Sequence, residues 1–165
     1  MVLFIRFRVQ WVIKMGIEIK TDTVKLEKLI KNLKGRHFVD IGLLGEKGAD
    51  SNVIEYGSVH EFGSISRNIP ERSFIKMPIE TKQNEIAADA KKNFEKHLEE
   101  GDIKAIFKDI GISAEAQIQD AFSTGGFGTW EPLSERYLKF KEAIGKTSIL
   151  IIEGTLRKSI TSKAV

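Results

Sequence analysis

Residues 59–74 read VHEFGSISRNIPERSF. Gly63 stops one helical pattern, and the longest helical pattern of the chain opens beside Phe74, so the stretch connects two helices and carries its own punctuation. Pro70 fixes its own φ and pushes Ile69 into an extended conformation, so Arg72 and Phe74 leave the turn in defined directions. The stretch reads as a rigid corner, with Phe62 and Phe74 as apolar anchors and a guanidinium held between them. These residue types point to an assembly element and away from an active site.

Upstream of the corner, Ser51 is placed to cap a short helix over 52–62. Asn52, Glu55, Ser58 and Glu61 form its polar edge, while Val53, Tyr56, Gly57 and His60 fall on another face, where Gly57 permits close approach of a neighbour. Residues 45–50, GEKGAD, read as a polar loop. Residues 36–44 read as a strand with Val39, Ile41 and Leu43 on one face. Before it, a cap among Thr21, Asp22 and Thr23 opens a helix to about Leu33, which Gly35 ends. At the N-terminus Ile5, Phe7, Val9 and Trp11 alternate with Arg6, Arg8 and Gln10, the period of a half-buried strand. A second reading starts translation at Met15 and makes residues 1–14 a basic extension outside the fold, and both stay open. A signal peptide fits poorly, because arginines interrupt the apolar run and no small-residue cleavage site follows.

Downstream, residues 73–100 carry Ile79, Ile86, Ala90, Phe94 and Leu98 at helical spacing, with Pro78 tolerable in the first turn. Asp102 caps the next helix, whose Ile103, Ile106, Phe107, Ile110, Ala114, Ile118, Ala121 and Phe122 give the cleanest helical period of the chain. Residues 123–133, STGGFGTWEPL, read as a flexible glycine-rich loop. Large rings such as Phe127 and Trp130 on such a loop are covered by something, either their own domain or a neighbouring subunit. Ser134 opens a short helix to about Ala143, and residues 148–153 form a short apolar run. The expectation is a single α+β domain over 15–165, several helices packed on a small, mostly antiparallel sheet with extended flexible loops.

The 165 residues suffice for one sizeable core. A 41% hydrophobic and 30% charged composition is that of an ordinary soluble protein, and no run is long enough to span a bilayer. Without cysteine, thiol catalysis, disulfides and thiolate metal sites drop out. Residues 1–20 hold four cations against one anion, a net +3 that equals that of the whole chain. The basic character therefore belongs to the N-terminal arm, and nucleic acid is at most a non-specific partner.

His60 beside Glu61 raises a metal ligand or general base, yet no HExxH or other ligand spacing surrounds the three histidines. A packed helix histidine is the better reading. Gly125, Gly126 and Gly128 resemble a phosphate loop only in glycine content, lacking the Gly-Lys-Ser/Thr ending. Ser134 and Ser159 lack a nucleophile elbow and read as a helix cap and a surface hydroxyl. No cofactor, metal or catalytic residue is nominated.

Taken in order, VHEFGSISRNIPERSFI, then GTWEPLSERYLKFK, then SILIIEGTLRKSI resemble the virion morphogenesis and neck or tail-completion proteins of tailed bacteriophages. The residues carrying the likeness are His60, Glu61, Phe62, Gly63, Ile69, Pro70, Arg72 and Phe74. In the C-terminal part they are Trp130, Pro132, Leu133, Lys141, Leu150, Ile151, Gly154, Leu156, Arg157, Ser159 and Ile160. The likeness spans about residues 36–162. It departs at Glu153, where many relatives have Thr, and some branches place the Ile-Pro-x-Arg corner after the Leu-Arg-x-Ser-Ile segment.

The resemblance implies a non-enzymatic structural subunit of the virion neck or tail (tail completion or head-tail joining), made in the bacterial host cytoplasm. It implies a ring of copies of the chain, hexameric by family, at the connector–tail junction. Its partners would be the head-tail connector or adaptor, the tail terminator or tail-tube proteins, with no membrane involved. The corner and the Phe127–Trp130 loop would pack on neighbouring subunits, with Arg72 and Arg157 reaching carboxylates there. The alternatives are a nucleic-acid-associated phage factor using the basic arm, a small hydrolase centred on His60, and an inhibitory or toxin-like phage protein.

Overall fold

The computed structural model describes residues 37–44 and 51–165, with isolated positions at 24, 27, 30, 31 and 34. The chain divides after Lys34, and the unit described below begins at Gly35. The N-terminal strand, the boundary between residues 14 and 15, the loop at 45–50 and most of the helix expected to Leu33 lie outside the described residues.

The unit is built around α5, Ile103–Thr124, which follows β1 (Val39–Gly42), α1 (Ser51–Phe62), α2 (Lys76–Thr81), α3 (Gln83–Lys92) and α4 (Phe94–Glu100). After it come α6 (Glu135–Ala143), α7 (Thr155–Lys158) and β2 (Thr161–Ala164). At about 1.5 Å per residue, α5 runs about 33 Å. Its start is fixed by Asp102, whose side chain accepts from the Ala105 N–H at 3.0 Å, and its end by Gly125 at φ 66. The stripe Ile103, Ile106, Ala114, Ile118, Ala121 and Phe122 is buried, which removes water from one continuous apolar face.

The helical stretch expected over 73–100 is three helices, broken at Lys82 and Asn93. Polar ties hold them to α5: Ser113 donates to Asp89 at 2.9 Å, and Asn93 Nδ2 donates to Asp109 at 3.0 Å. His97 Nε2 also meets Asp109, at 3.1 Å.

Across α5 lies a two-stranded antiparallel sheet in which Val39 faces Ala164, Asp40 faces Lys163, Ile41 faces Ser162 and Gly42 faces Thr161. A hairpin-sized sheet is marginal alone and stable when packed on a helix. Gly111 makes that packing possible, because a Cβ there would stand 2.4 Å from Ser162 Oγ and 3.0 Å from Val39 Cγ2. The described residues thus form seven helices packed with a small antiparallel sheet, the α+β domain expected. β2 itself went unanticipated.

The core joins Val53, Phe74, Ile118, Ala121, Phe122, Trp130, Leu156 and Ile160. Gly57 meets the expectation of close approach: a Cβ there would stand 2.6 Å from Leu43 Cδ1 and 3.2 Å from Leu156 Cδ1. None of the described helices is long and apolar enough to cross a membrane.

Candidate functional site

The corner is rigid, and its rigidity comes from buried polar groups. Gly63 leaves α1 at φ 70, and a Cβ there would stand 3.0 Å from the Glu71 nitrogen, so backbone and space both favour glycine. Ser64 and Ile69 then exchange both main-chain hydrogen bonds, at 2.8 and 2.9 Å, and close a small turn. The Arg72 N–H returns to the His60 carbonyl at 2.8 Å.

Glu61, expected on a polar edge, is buried, and the reason lies 12 to 15 residues further on. Its Oε1 accepts from Ser73 Oγ at 2.8 Å and Lys76 N at 3.0 Å; its Oε2 accepts from Phe74 N at 2.7 Å and Ile75 N at 2.9 Å. Four donors on one carboxylate satisfy a buried anion and close the entry to α2. Ser73 Oγ in turn accepts from Met77 N at 3.0 Å.

Arg72 is buried, and its side chain bonds main-chain carbonyls of its own chain. Its Nε donates to the Glu131 carbonyl at 2.9 Å and Nη2 to the Pro132 carbonyl at 3.1 Å, clamping the two halves of the motif together. Arg157 is half-buried: its Nε donates to Gln119 Oε1, and Gln119 Nε2 donates to the Arg157 carbonyl at 3.0 Å. Within the chain, the Arg72 guanidinium and the Arg157 Nε are thus both met by main-chain or amide oxygens.

Of the two covers open for the rings of the glycine loop, Trp130 takes the first. Trp130 is buried in the core of its own domain, edge-on to Phe122 at 5.7 Å and 84°, with Nε1 donating to the Ser73 carbonyl at 3.0 Å. Phe127 is half-buried, with Lys82 Nζ 5.2 Å over its ring. Phe74 is a core anchor, whereas Phe62 is 75% exposed and anchors nothing inside the domain. Ser159 is buried and donates to the Thr155 carbonyl at 2.9 Å, correcting its reading as a surface hydroxyl. Ser134 stands at the start of α6 without a side-chain cap bond.

Lys141 is 1% exposed, and its Nζ donates to the carbonyls of Ser148 and Ile151, the latter at 2.8 Å. Burial lowers its pKa. It fastens the 148–151 turn to α6.

Between the two clamped segments runs an open groove of about 1680 Å³. Of the residues singled out in the sequence, His60, Phe62, Gly63, Ile69, Pro70 and Arg72 line it from the corner. Pro132, Leu133, Lys141, Gly154 and Leu156 line it from the C-terminal part, with Leu150 beside them. Glu61, Phe74, Phe127, Trp130, Arg157, Ser159, Ile160 and Ile151 are absent from its lining.

Sequence reading missed the rim: exposed Ile65, Tyr137 and Ile152, and the carboxylates Glu71, Glu131, Glu135 and Glu153. The only local signal for them was their place inside the resembling segments. His60 faces the groove with a buried Nδ1 that has no protein partner, and burial together with the Arg72 guanidinium lowers its pKa. Glu61, bound to four other donors, is not its partner. Among the described residues no cluster of three His, Asp or Glu could hold a metal ion.

The arrangement can bind. Glu61, Arg72 and Lys141 bond mainly to main-chain groups and hold a trough whose apolar rim is open to solvent. Compared with protein-family models, with curated proteins and with solved structures, the chain gives no match.

Proposed function

We propose that this chain is a structural subunit of a tailed-phage particle, a neck or tail-completion protein that works by assembly at the connector–tail junction. It acts as a ring of copies that seats neighbouring neck or tail components, and no bond is made or broken in a substrate. One observation supports the reading: all three resembling segments, the first far from the other two in sequence, contribute to one groove edged by exposed Phe62 and Ile65. Exposed apolar side chains of that size on a fixed turn mark an interaction surface. Burying each against a partner contributes about 1.5–3 kcal/mol, and a ring repeats the gain at every contact.

The test is made on particles. Purified virions are examined by mass spectrometry for the chain, and lysates lacking its gene are examined by electron microscopy. The reading expects the chain in virions and unjoined heads and tails without it. Normal, infectious particles lacking the chain would overturn it.

A further inference from the structure

The groove has a charge asymmetry that narrows what it holds. Glu71, Glu131, Glu135 and Glu153 all line it and all are exposed. The cations that share the lining, Arg72 and Lys141, are buried and donate to main-chain carbonyls. Arg67, on the same turn but outside the lining, is paired with Glu55 at 3.3 Å. Residues 21–165 carry no net charge, so this is a local concentration of carboxylates. Interleaved with it are the exposed apolar groups Phe62, Ile65, Tyr137 and Ile152. Carboxylates at the edge of a low-dielectric trough focus a negative potential into it.

We infer that the groove takes a segment of a partner polypeptide that presents apolar side chains flanked by lysine or arginine. The apolar groups of that segment cover the Phe62–Ile65 edge, and its cations meet the glutamate rim, which sets specificity and association rate more than raw affinity. This deepens the assembly reading and rests on it, by naming the chemistry of what is seated.

The test uses the full chain and three labelled twelve-residue peptides: one alternating leucine with arginine, one leucine with glutamate, one serine with arginine. Fluorescence anisotropy is expected to show the leucine–arginine peptide binding at least about tenfold more tightly than either of the others, and weakening as salt is raised. The paired variants Phe62→Ser with Ile65→Ser, and Glu131→Gln with Glu153→Gln, are each expected to lose about tenfold. All four positions are exposed, and unchanged circular dichroism confirms that the variants fold. Equal binding of the three peptides, or binding indifferent to both variant pairs, overturns the inference. Self-association of the chain that vanishes in the same variants while the peptide does not bind overturns it in favour of a second copy as occupant. Any of these failures alongside virions that contain the chain leaves the assembly reading standing, so the two fail separately.

Discussion

The indole Nε1 of Trp130 donates to the main-chain carbonyl of Ser73 at 3.0 Å, across 57 residues of sequence. One residue before Ser73, Arg72 donates in the opposite sense to the carbonyls of Glu131 and Pro132. Adjacent positions on each segment thus lock the other, and the groove inherits its shape from the lock. Trp130→Phe keeps a ring but leaves a buried carbonyl without its donor, at a cost of about 1–3 kcal/mol. Trp130→Ala also loses the contact with Phe122 and is expected to cost about 3–5 kcal/mol. Urea unfolding followed by circular dichroism measures both. A Phe variant as stable as the parent would show that the hydrogen bond contributes nothing.

Gly126 and Gly128 separate two reasons for glycine on the same loop. Both have positive φ, 68° and 79°, but a Cβ on Gly126 would stand 2.4 Å from the Trp130 ring, while one on Gly128 meets nothing within 4 Å. Gly128→Ala is expected to cost only the left-handed backbone penalty, about 1–2 kcal/mol. Gly126→Ala adds an overpacking cost of about 1–3 kcal/mol and shifts the tryptophan fluorescence. Equal losses in urea midpoint, with unchanged emission, would place the indole away from Gly126.

What could be read in advance was local. The apolar face of α5 repeats within a few residues and Asp102 sits directly before it, so the helix and its cap needed no knowledge of the rest of the chain. β2 had no such signature: Thr161, Ser162, Lys163 and Ala164 are extended because Val39–Gly42, more than 100 residues earlier, offers them partners. Glu61 looked like solvent-facing polarity since its four donors come from a turn not yet formed at that point in the sequence. Trp130 sat among glycines that suggested flexibility, whereas Gly126 is small to make room for the indole. For the site, the residues of the corner were legible, but Phe62 was grouped with Phe74 as an anchor and the glutamate rim was not seen, as neither side-chain exposure depends on periodicity.

Glu61 gathers four donors on one buried carboxylate. Gln keeps the size but offers a single accepting oxygen, and its NH2 would face main-chain N–H groups that also donate. Glu61→Gln is expected to lose about 2–4 kcal/mol, since hydrogen bonds to a charged acceptor contribute about 1.5–3 kcal/mol and buried donors left unmade are costly. Glu61→Asp, one methylene short, cannot reach all four donors and should fall between. Hydrogen exchange checks the location: the amides of Phe74, Ile75 and Lys76 lose protection first, ahead of α5. Protection unchanged at those three amides would mean that the entry to α2 is held by something else.

His60 gives the pH dependence. Burial, and secondarily the Arg72 guanidinium, hold its imidazole below the ordinary value of 6.5. The unfolded chain binds this proton near pH 6.5, and the folded chain binds it only at lower pH. In the window below about 6.5 the unfolded state therefore carries more protons, and stability rises with pH there. On acidification the histidine's contribution is lost progressively, and the loss is complete once pH falls beneath the folded value. His60→Gln substitutes a neutral amide and removes this term while leaving every other titratable group in place. Between about pH 7.5 and about pH 5, the parent's urea midpoint is expected to fall further than that of His60→Gln. Parallel losses in the two proteins would mean that the imidazole titrates as freely when folded as when unfolded, and that the groove at His60 is wetter than its buried Nδ1 indicates.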